Sequence, residues 1–274
     1  MLDPFDFKEP SCALCGGKEF YNPDKNAPSG RIPIKRIIDK LDGFFNKNDM
    51  ENAGKLLEYW QGEAVSLNDA EGELEIDSEL IGYYRKTAQK EKGLAVSERA
   101  LELIDRLGLG EKVSAATIIL NAATTFKSFG RARDALPLYD KVFSVYTRNL
   151  GQSDPLFGGF YNNKALALVD IKNYNEAEKC YRNALEITKK ISPANPDIAV
   201  TFVNMAHMYD QMGEKNKITD CLFEAFAVLN REDAEKNGYY AYVCSKCAPS
   251  FAFYGYNVIE KQLLGRAKEI YERN

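Results

Sequence analysis

The sequence of 274 residues has little of the chemistry on which catalytic sites depend. It contains one histidine, His207, with no serine or cysteine at motif spacing, so it offers no pattern of a hydrolytic triad. The glycines at 108 and 110, and those at 158 and 159, follow no strand pattern. They also lack the Gly-Lys-Ser/Thr ending of a phosphate-binding loop. We therefore expect a protein that is not an enzyme.

Excess positive charge and long apolar runs are also lacking. The 36 Lys and Arg residues are outnumbered by 40 Asp and Glu, whereas nucleic acid or an anionic membrane would require a concentrated basic face. No apolar run approaches the roughly 18 residues of a spanning helix, and residues 1–6 do not have the pattern of a signal peptide. We expect a cytoplasmic protein whose main partner is neither nucleic acid nor membrane.

The best-defined pattern lies between residues 161 and 185, where two short amphipathic helices flank a turn. In each helix, apolar or small residues recur at i, i+4 and i+7. They are Tyr161, Ala165 and Leu168 in the first helix, and Ala177, Tyr181 and Ala184 in the second. Such a hairpin cannot bury its apolar faces alone, so it indicates that the chain repeats it.

The repeat recurs with a period near 42 residues. The residue that opens the second helix is Ala53, Gly93, Ala135, Ala177, Ile218 and Ala267 in turn. Each first helix also carries a large residue at a fixed place in the repeat. In the last copy we assign Val258 to that place. This pattern resembles the tetratricopeptide repeat, with a period closer to the long repeats of kinesin light chains than to the usual length of about 34. The resemblance implies an all-α fold, a right-handed α-solenoid of about six helix pairs.

We divide the chain into a tail and a solenoid. Residues 1–30 form a Cys-containing tail rich in Pro, Gly and Asn, and residues 31–274 form the solenoid. The repeats are predicted at about 31–66, 73–107, 113–150, 154–191, 196–230 and 238–274. Gly130 and Gly213 are expected to be left-handed caps between paired helices, and Pro249 to disturb any helix through Ser245. The second repeat is expected to be the weakest, because Gly93 disfavours a helix.

Three asparagines occupy one place in three successive repeats. Asn121, Asn163 and Asn204 are 42 and 41 residues apart. The resemblance implies that this place faces the concave groove, where a row of amides holds the backbone of an extended peptide. An amide offers both a donor and an acceptor, so it pairs with a peptide without reading its side chains. His207 is expected to contact the ligand in the same groove. The alternative is that the asparagines cap or bridge neighbouring helices.

Four of the six cysteines form two Cys-x-x-Cys pairs near the two ends of the sequence. Cys12 with Cys15, and Cys244 with Cys247, supply a complete tetrahedral thiolate set for one structural zinc ion. The segment around Cys12 and Cys15 is similar to a zinc knuckle. The alternatives are two separate disulfides, a metal shared between two chains, and reduced thiols.

These patterns predict a scaffold that binds a protein or peptide partner in the groove of the solenoid. The alternative is a zinc- or redox-responsive regulatory protein of the same fold, in which the tail is tethered to the last repeat. The identity of the partner and the oligomeric state are left open by the patterns.

Overall fold

The computed structural model describes residues 29–47 and 49–273, and all regular secondary structure in those residues is α-helical. The helices are α1 (Ile34–Asn46), α2 (Met50–Ser66), α3 (Ala70–Lys86), α4 (Lys90–Arg106), α5 (Val113–Ser128), α6 (Ala132–Asn149), α7 (Leu156–Asp170), α8 (Tyr174–Ile191), α9 (Asp197–Met212), α10 (Lys215–Leu229), α11 (Gly238–Phe253) and α12 (Asn257–Arg273). The predicted all-α helical-repeat fold is confirmed. Within the described residues, no helix is both long and apolar enough to cross a bilayer.

The chain divides into two compact units between Val145 and Tyr146, inside α6. In the first unit, α3 contacts α1 and α5. Helix α2 packs against α1 and α3, and helix α4 packs against α3 and α5. In the second unit, α9 contacts α7 and α11, and each of these three helices packs against the helix that follows it. The odd-numbered helices are called first helices below, and the even-numbered ones second helices.

Short polar turns set the helix boundaries. The side chain of Asp49 accepts a hydrogen bond from the Asn52 amide, and that of Asp69 from the Gly72 amide, each at 3.1 Å. These bonds cap α2 and α3. Asp69 also explains why the second pair begins at Ala70 rather than at residue 73. The predicted left-handed caps are confirmed, since φ is +84° at Gly130 and +77° at Gly213.

The repeated apolar positions form the core. Four residues after the residue that opens each second helix, the side chain is buried in α2, α4, α6, α8 and α10. These side chains are Leu57, Ser97, Tyr139, Tyr181 and Leu222. In all of these helices except α10, the opening residue one turn earlier is Ala or Gly, which lets consecutive helices approach closely.

The last helix pair corrects the repeat register. Val258 lies in α12, the second helix of the pair, and Ala267 lies ten residues after the start of α12. The residue equivalent to Ile218 is Glu260, which restores an interval of 42. The assignment of Val258 and Ala267 was wrong because small and apolar residues recur every few positions along any amphipathic helix.

The expected disturbance at Pro249 is also wrong. Helix α11 runs without interruption from Gly238 to Phe253, and Pro249 lies exposed within it. Proline removes one backbone hydrogen bond from the helix. The packing of α11 against α9 and α12 outweighs that loss, because most helix stability in proteins comes from tertiary contacts.

Candidate functional site

Asn163 and Asn204 occupy the same place on two neighbouring first helices of the second unit. Each lies seven residues after the start of its helix, α7 for Asn163 and α9 for Asn204. Both side chains are half-buried, and α7 contacts α9. The sequence interval of 41 residues therefore corresponds to one structural position, as the repeat pattern predicts.

The amides of these two asparagines retain most of their hydrogen-bonding capacity. Asn204 donates one Nδ2 hydrogen bond, at 3.1 Å, to Oδ1 of Asn162 on α7. This bond bridges neighbouring helices, which was the alternative considered for the row. The side chain of Asn163 has no hydrogen-bond partner among residues 29–47 and 49–273. A ligand can therefore still use the Asn163 amide and the carbonyl of Asn204.

Asn121 lies on α5 in the first unit, and its side chain is also half-buried. Its backbone carbonyl accepts a hydrogen bond from Arg85 at 3.2 Å, and Arg85 also donates to Thr125 Oγ1 at 3.1 Å. The position 42 residues before Asn121 is Glu79 on α3. Burial and then the charge of Asp42 raise the pKa of Glu79. The first helices of this unit thus carry acidic as well as amide side chains.

His207 ties α9 to α11. Its Nε2 lies 2.9 Å from Ser250 Oγ, and its Nδ1 lies 3.0 Å from the Tyr254 hydroxyl. Tyr254 also donates to Asp210 at 3.3 Å, an arrangement that suits a proton on Nδ1 of a neutral imidazole. Burial lowers the pKa of His207, and the charge of Asp210 opposes this shift. A ligand contact would have to displace one of these bonds, so the predicted contact remains a prediction.

The face of α11 carries residues that the sequence reasoning missed. Lys246 lies 42 residues after Asn204, so it continues the row of Asn163 and Asn204 as an exposed cation. Its Nζ lies 6.0 Å from the ring centroid of Tyr242, which stacks on Tyr239 at 6.2 Å. Phe253 is 71% exposed. The interval from Asn204 would have revealed Lys246, but the incorrect register of the last pair concealed it.

The cysteine pairs are only partly within the described residues. Cys12 and Cys15 lie outside them. Cys244 and Cys247 are both buried on α11, and burial raises the pKa of both thiols, that of Cys247 to about 12. No group of three or more possible metal ligands occurs in the part of the chain that the structure describes. The four-cysteine zinc site therefore remains a prediction.

Comparison with protein families finds tetratricopeptide repeats in the middle of the chain. One repeat model matches residues 115–156 and another matches residues 159–231. The kinesin light chain-related protein 2 of Arabidopsis thaliana is 24% identical over 156 residues. That alignment covers 57% of this chain but only 23% of the Arabidopsis protein.

Two solved structures share the fold. BtubC (BKLC) from P. vanneervenii superposes with a TM-score of 0.59 and 24% identity, covering 71% of this chain and 79% of its own. A set of nearly identical repeats from a Podosopora anserina protein, described as similar to a kinesin light chain, gives a TM-score of 0.51 and 16% identity. It covers 72% of this chain and 94% of its own. At these identities, the similarity concerns the fold alone.

Proposed function

Because this chain is a tetratricopeptide-repeat protein with repeats of the kinesin light chain type, we propose that it is a non-enzymatic scaffold that binds an extended peptide. The peptide lies across the first helices of the second unit. Asn163 and Asn204 pair with its backbone, and the α11 face contacts its side chains.

The position and free capacity of the two amides support this proposal most directly. Asn163 and Asn204 lie at matching places on adjacent helices, and both are half-buried rather than fully solvated. A partly desolvated amide gains more from a peptide hydrogen bond than an exposed one, because less water competes for it. An amide that offers both donor and acceptor also suits any extended backbone.

The α11 face adds side-chain contacts beside the amides. Tyr239 and Tyr242 are 50% and 43% exposed, and Lys246 lies among them. Exposed aromatic residues supply large contact areas at low entropic cost and are enriched at interfaces. We expect the peptide to place apolar side chains against these rings.

A linear peptide library displayed on phage provides the probe for this proposal. Peptides selected on the purified full-length protein are then measured by calorimetry against Asn163→Ala/Asn204→Ala. Each lost hydrogen bond contributes about 1 kcal/mol, so the double variant should bind at least about tenfold more weakly.

Asn183→Ala/Asn216→Ala is the matched control. Asn183 on α8 and Asn216 on α10 are exposed residues of second helices, so their loss should leave the affinity unchanged. Equal affinities of the wild type and the Asn163/Asn204 variant, for peptides that Lys246→Ala weakens, would place the peptide on α11 without the amides. Failure to select any peptide would contradict the proposal as a whole.

A further inference from the structure

Helix α12 exposes two residues at places that are buried in the other second helices. Counted from the residue that opens the helix, which is Glu260 in α12, these places lie four and eleven positions later. Leu264 and Tyr271 occupy them in α12 and are 43% and 51% exposed. The fourth position is buried in α2, α4, α6, α8 and α10, as described above, and so is the eleventh. The residues at the eleventh position are Ala64, Ile104, Tyr146, Thr188 and Leu229. Two core positions of the repeat are therefore open on α12.

In α10, the following helix packs beside these two places. Leu222 and Leu229 are each 1% exposed. On α11, Tyr240 donates its hydroxyl to the Leu229 carbonyl at 2.7 Å, and Phe251 meets the Phe226 ring with centroids 6.2 Å apart. No helix of residues 29–47 and 49–273 buries the same places on α12. The open surface of α12 therefore fits a further helix.

A charged residue lies on each side of Leu264. Glu260 precedes it by four residues and Lys268 follows it by four, so both lie within about 40° of Leu264 around the helix, as does Tyr271. These four residues are called the α12 face below. Glu260 makes no ion pair within the described residues, and Lys268 approaches only Glu272, at 3.7 Å. The α12 face thus has an apolar centre with an acidic residue on one side and a basic residue on the other.

We propose that the α12 face binds the α12 face of a second copy of this chain. Opposite charges at equal distances from one leucine make the face complementary to itself when the two helices run antiparallel. In a two-fold symmetric pair every contact occurs twice. Leu264 then meets Leu264 of the second copy, and each Lys268 meets Glu260 of the other copy. A contact through one helix per copy is small, so we expect a dissociation constant on the order of micromolar.

Two opposite charge reversals test this pairing. In the full-length protein, Glu260→Lys and Lys268→Glu each bring like charges together twice, so each variant alone should dimerise at least about tenfold more weakly than the wild type. An equimolar mixture of the two variants should dimerise again, because the two lysines of one chain then meet the two glutamates of the other. Sedimentation equilibrium over about 1–500 µM measures these affinities.

Glu269→Lys is the matched control. It makes the same exchange on the same helix, about 140° around from Leu264, and should leave dimerisation unchanged. Circular dichroism should be the same for all variants, since none of the three residues is buried. A wild type that stays monomeric across the range would overturn the proposal and would leave the α12 face to another protein. A dimer that neither reversal weakens, or that the mixture does not restore, would place the contact elsewhere and would overturn it as well.

Discussion

At the scale of single residues, Asp77 and Arg99 form an ion pair whose carboxylate is buried. Asp77 on α3 is fully buried, and Arg99 on α4 donates to its two oxygens at 2.7 and 2.5 Å. Burial raises the pKa of Asp77 to about 6, although Arg99 opposes the shift. Because the folded pKa exceeds the unfolded value, the contribution of Asp77 to stability falls as the pH rises from about 4 to about 6.

Arg99→Met should reveal how strongly the buried Asp77 carboxylate destabilises the fold when no cation lies beside it. It leaves the Asp77 carboxylate buried without its cation, so near pH 7 the free energy of unfolding should fall by about 3 kcal/mol. Near pH 5 the loss should be smaller, because Asp77 is then protonated in the folded variant. Urea denaturation at both pH values measures the difference. Arg106→Met removes an exposed arginine of the same helix and should change stability by less than about 0.5 kcal/mol. Equal losses at the two pH values would contradict the assignment.

His207 should make stability depend on pH in the opposite direction. Burial holds the folded pKa of His207 below its usual value, so the unfolded state binds the proton more tightly. The stability that results is present above about pH 6.5 and is lost as the pH falls through the folded pKa. His207→Gln keeps an amide for Ser250 and Tyr254 but does not titrate. Its thermal midpoint should therefore decrease less than that of the wild type between about pH 7.5 and 5.5. Parallel decreases in both proteins would contradict this role.

At the scale of helices and turns, the sequence predicts an element well where its boundary depends only on residues next to it in the chain. Gly130 and Gly213 end their helices as expected because the left-handed region suits glycine. The last pair was misplaced because periodicity alone cannot separate one turn of an amphipathic helix from the next. The same ambiguity concealed that Lys246 occupies the place in its repeat that Asn163 and Asn204 occupy in theirs. The bonds from His207 to Ser250 and Tyr254 join residues 43 and 47 positions apart, which no local pattern reveals.

Gly93 lies on α4, where helix propensity and packing predict opposite effects of a substitution by alanine. By helix propensity, Gly93→Ala should stabilise α4 by up to about 1 kcal/mol. The structure reverses that expectation, since a Cβ at Gly93 would lie 2.8 Å from Cε2 of Phe129. We expect a loss of about 1–2 kcal/mol from overpacking. Gly82→Ala on α3 is the matched control, because its Cβ would meet nothing within 4 Å, and it should be neutral or stabilising.

Hydrogen exchange provides a second readout for these two glycines. The amides of residues 73–106 are predicted from the sequence to open before those of the other repeats. Their exchange should become faster in Gly93→Ala and stay equal or become slower in Gly82→Ala. A stabilised Gly93→Ala protein would show that Phe129 moves aside without cost.

At the scale of the whole molecule, the fold class was predictable because a repeat protein is held together by contacts between neighbouring pairs. A period near 42 residues and one apolar face per helix therefore suffice to indicate the architecture. The division between Val145 and Tyr146 was not predictable, since it falls inside α6 and no change of composition marks it. The buried pair of Asp77 and Arg99 was also missed, because charged residues on amphipathic helices normally face solvent.

The metal content of the whole chain tests the four-cysteine prediction, whose ligands come from both ends of the sequence. Zinc would have to displace the thiol protons of Cys244 and Cys247, whose pKa values burial raises, so its affinity should fall steeply as the pH decreases. At neutral pH, atomic absorption should find about one zinc per chain. Cys247→Ser should lose the metal. Cys221→Ser should keep it, because Cys221 is also buried, has a pKa raised to about 12, and belongs to neither pair. Zinc-free protein purified without chelator or acid, or equal zinc in the two variants, would show that Cys244 and Cys247 are core thiols.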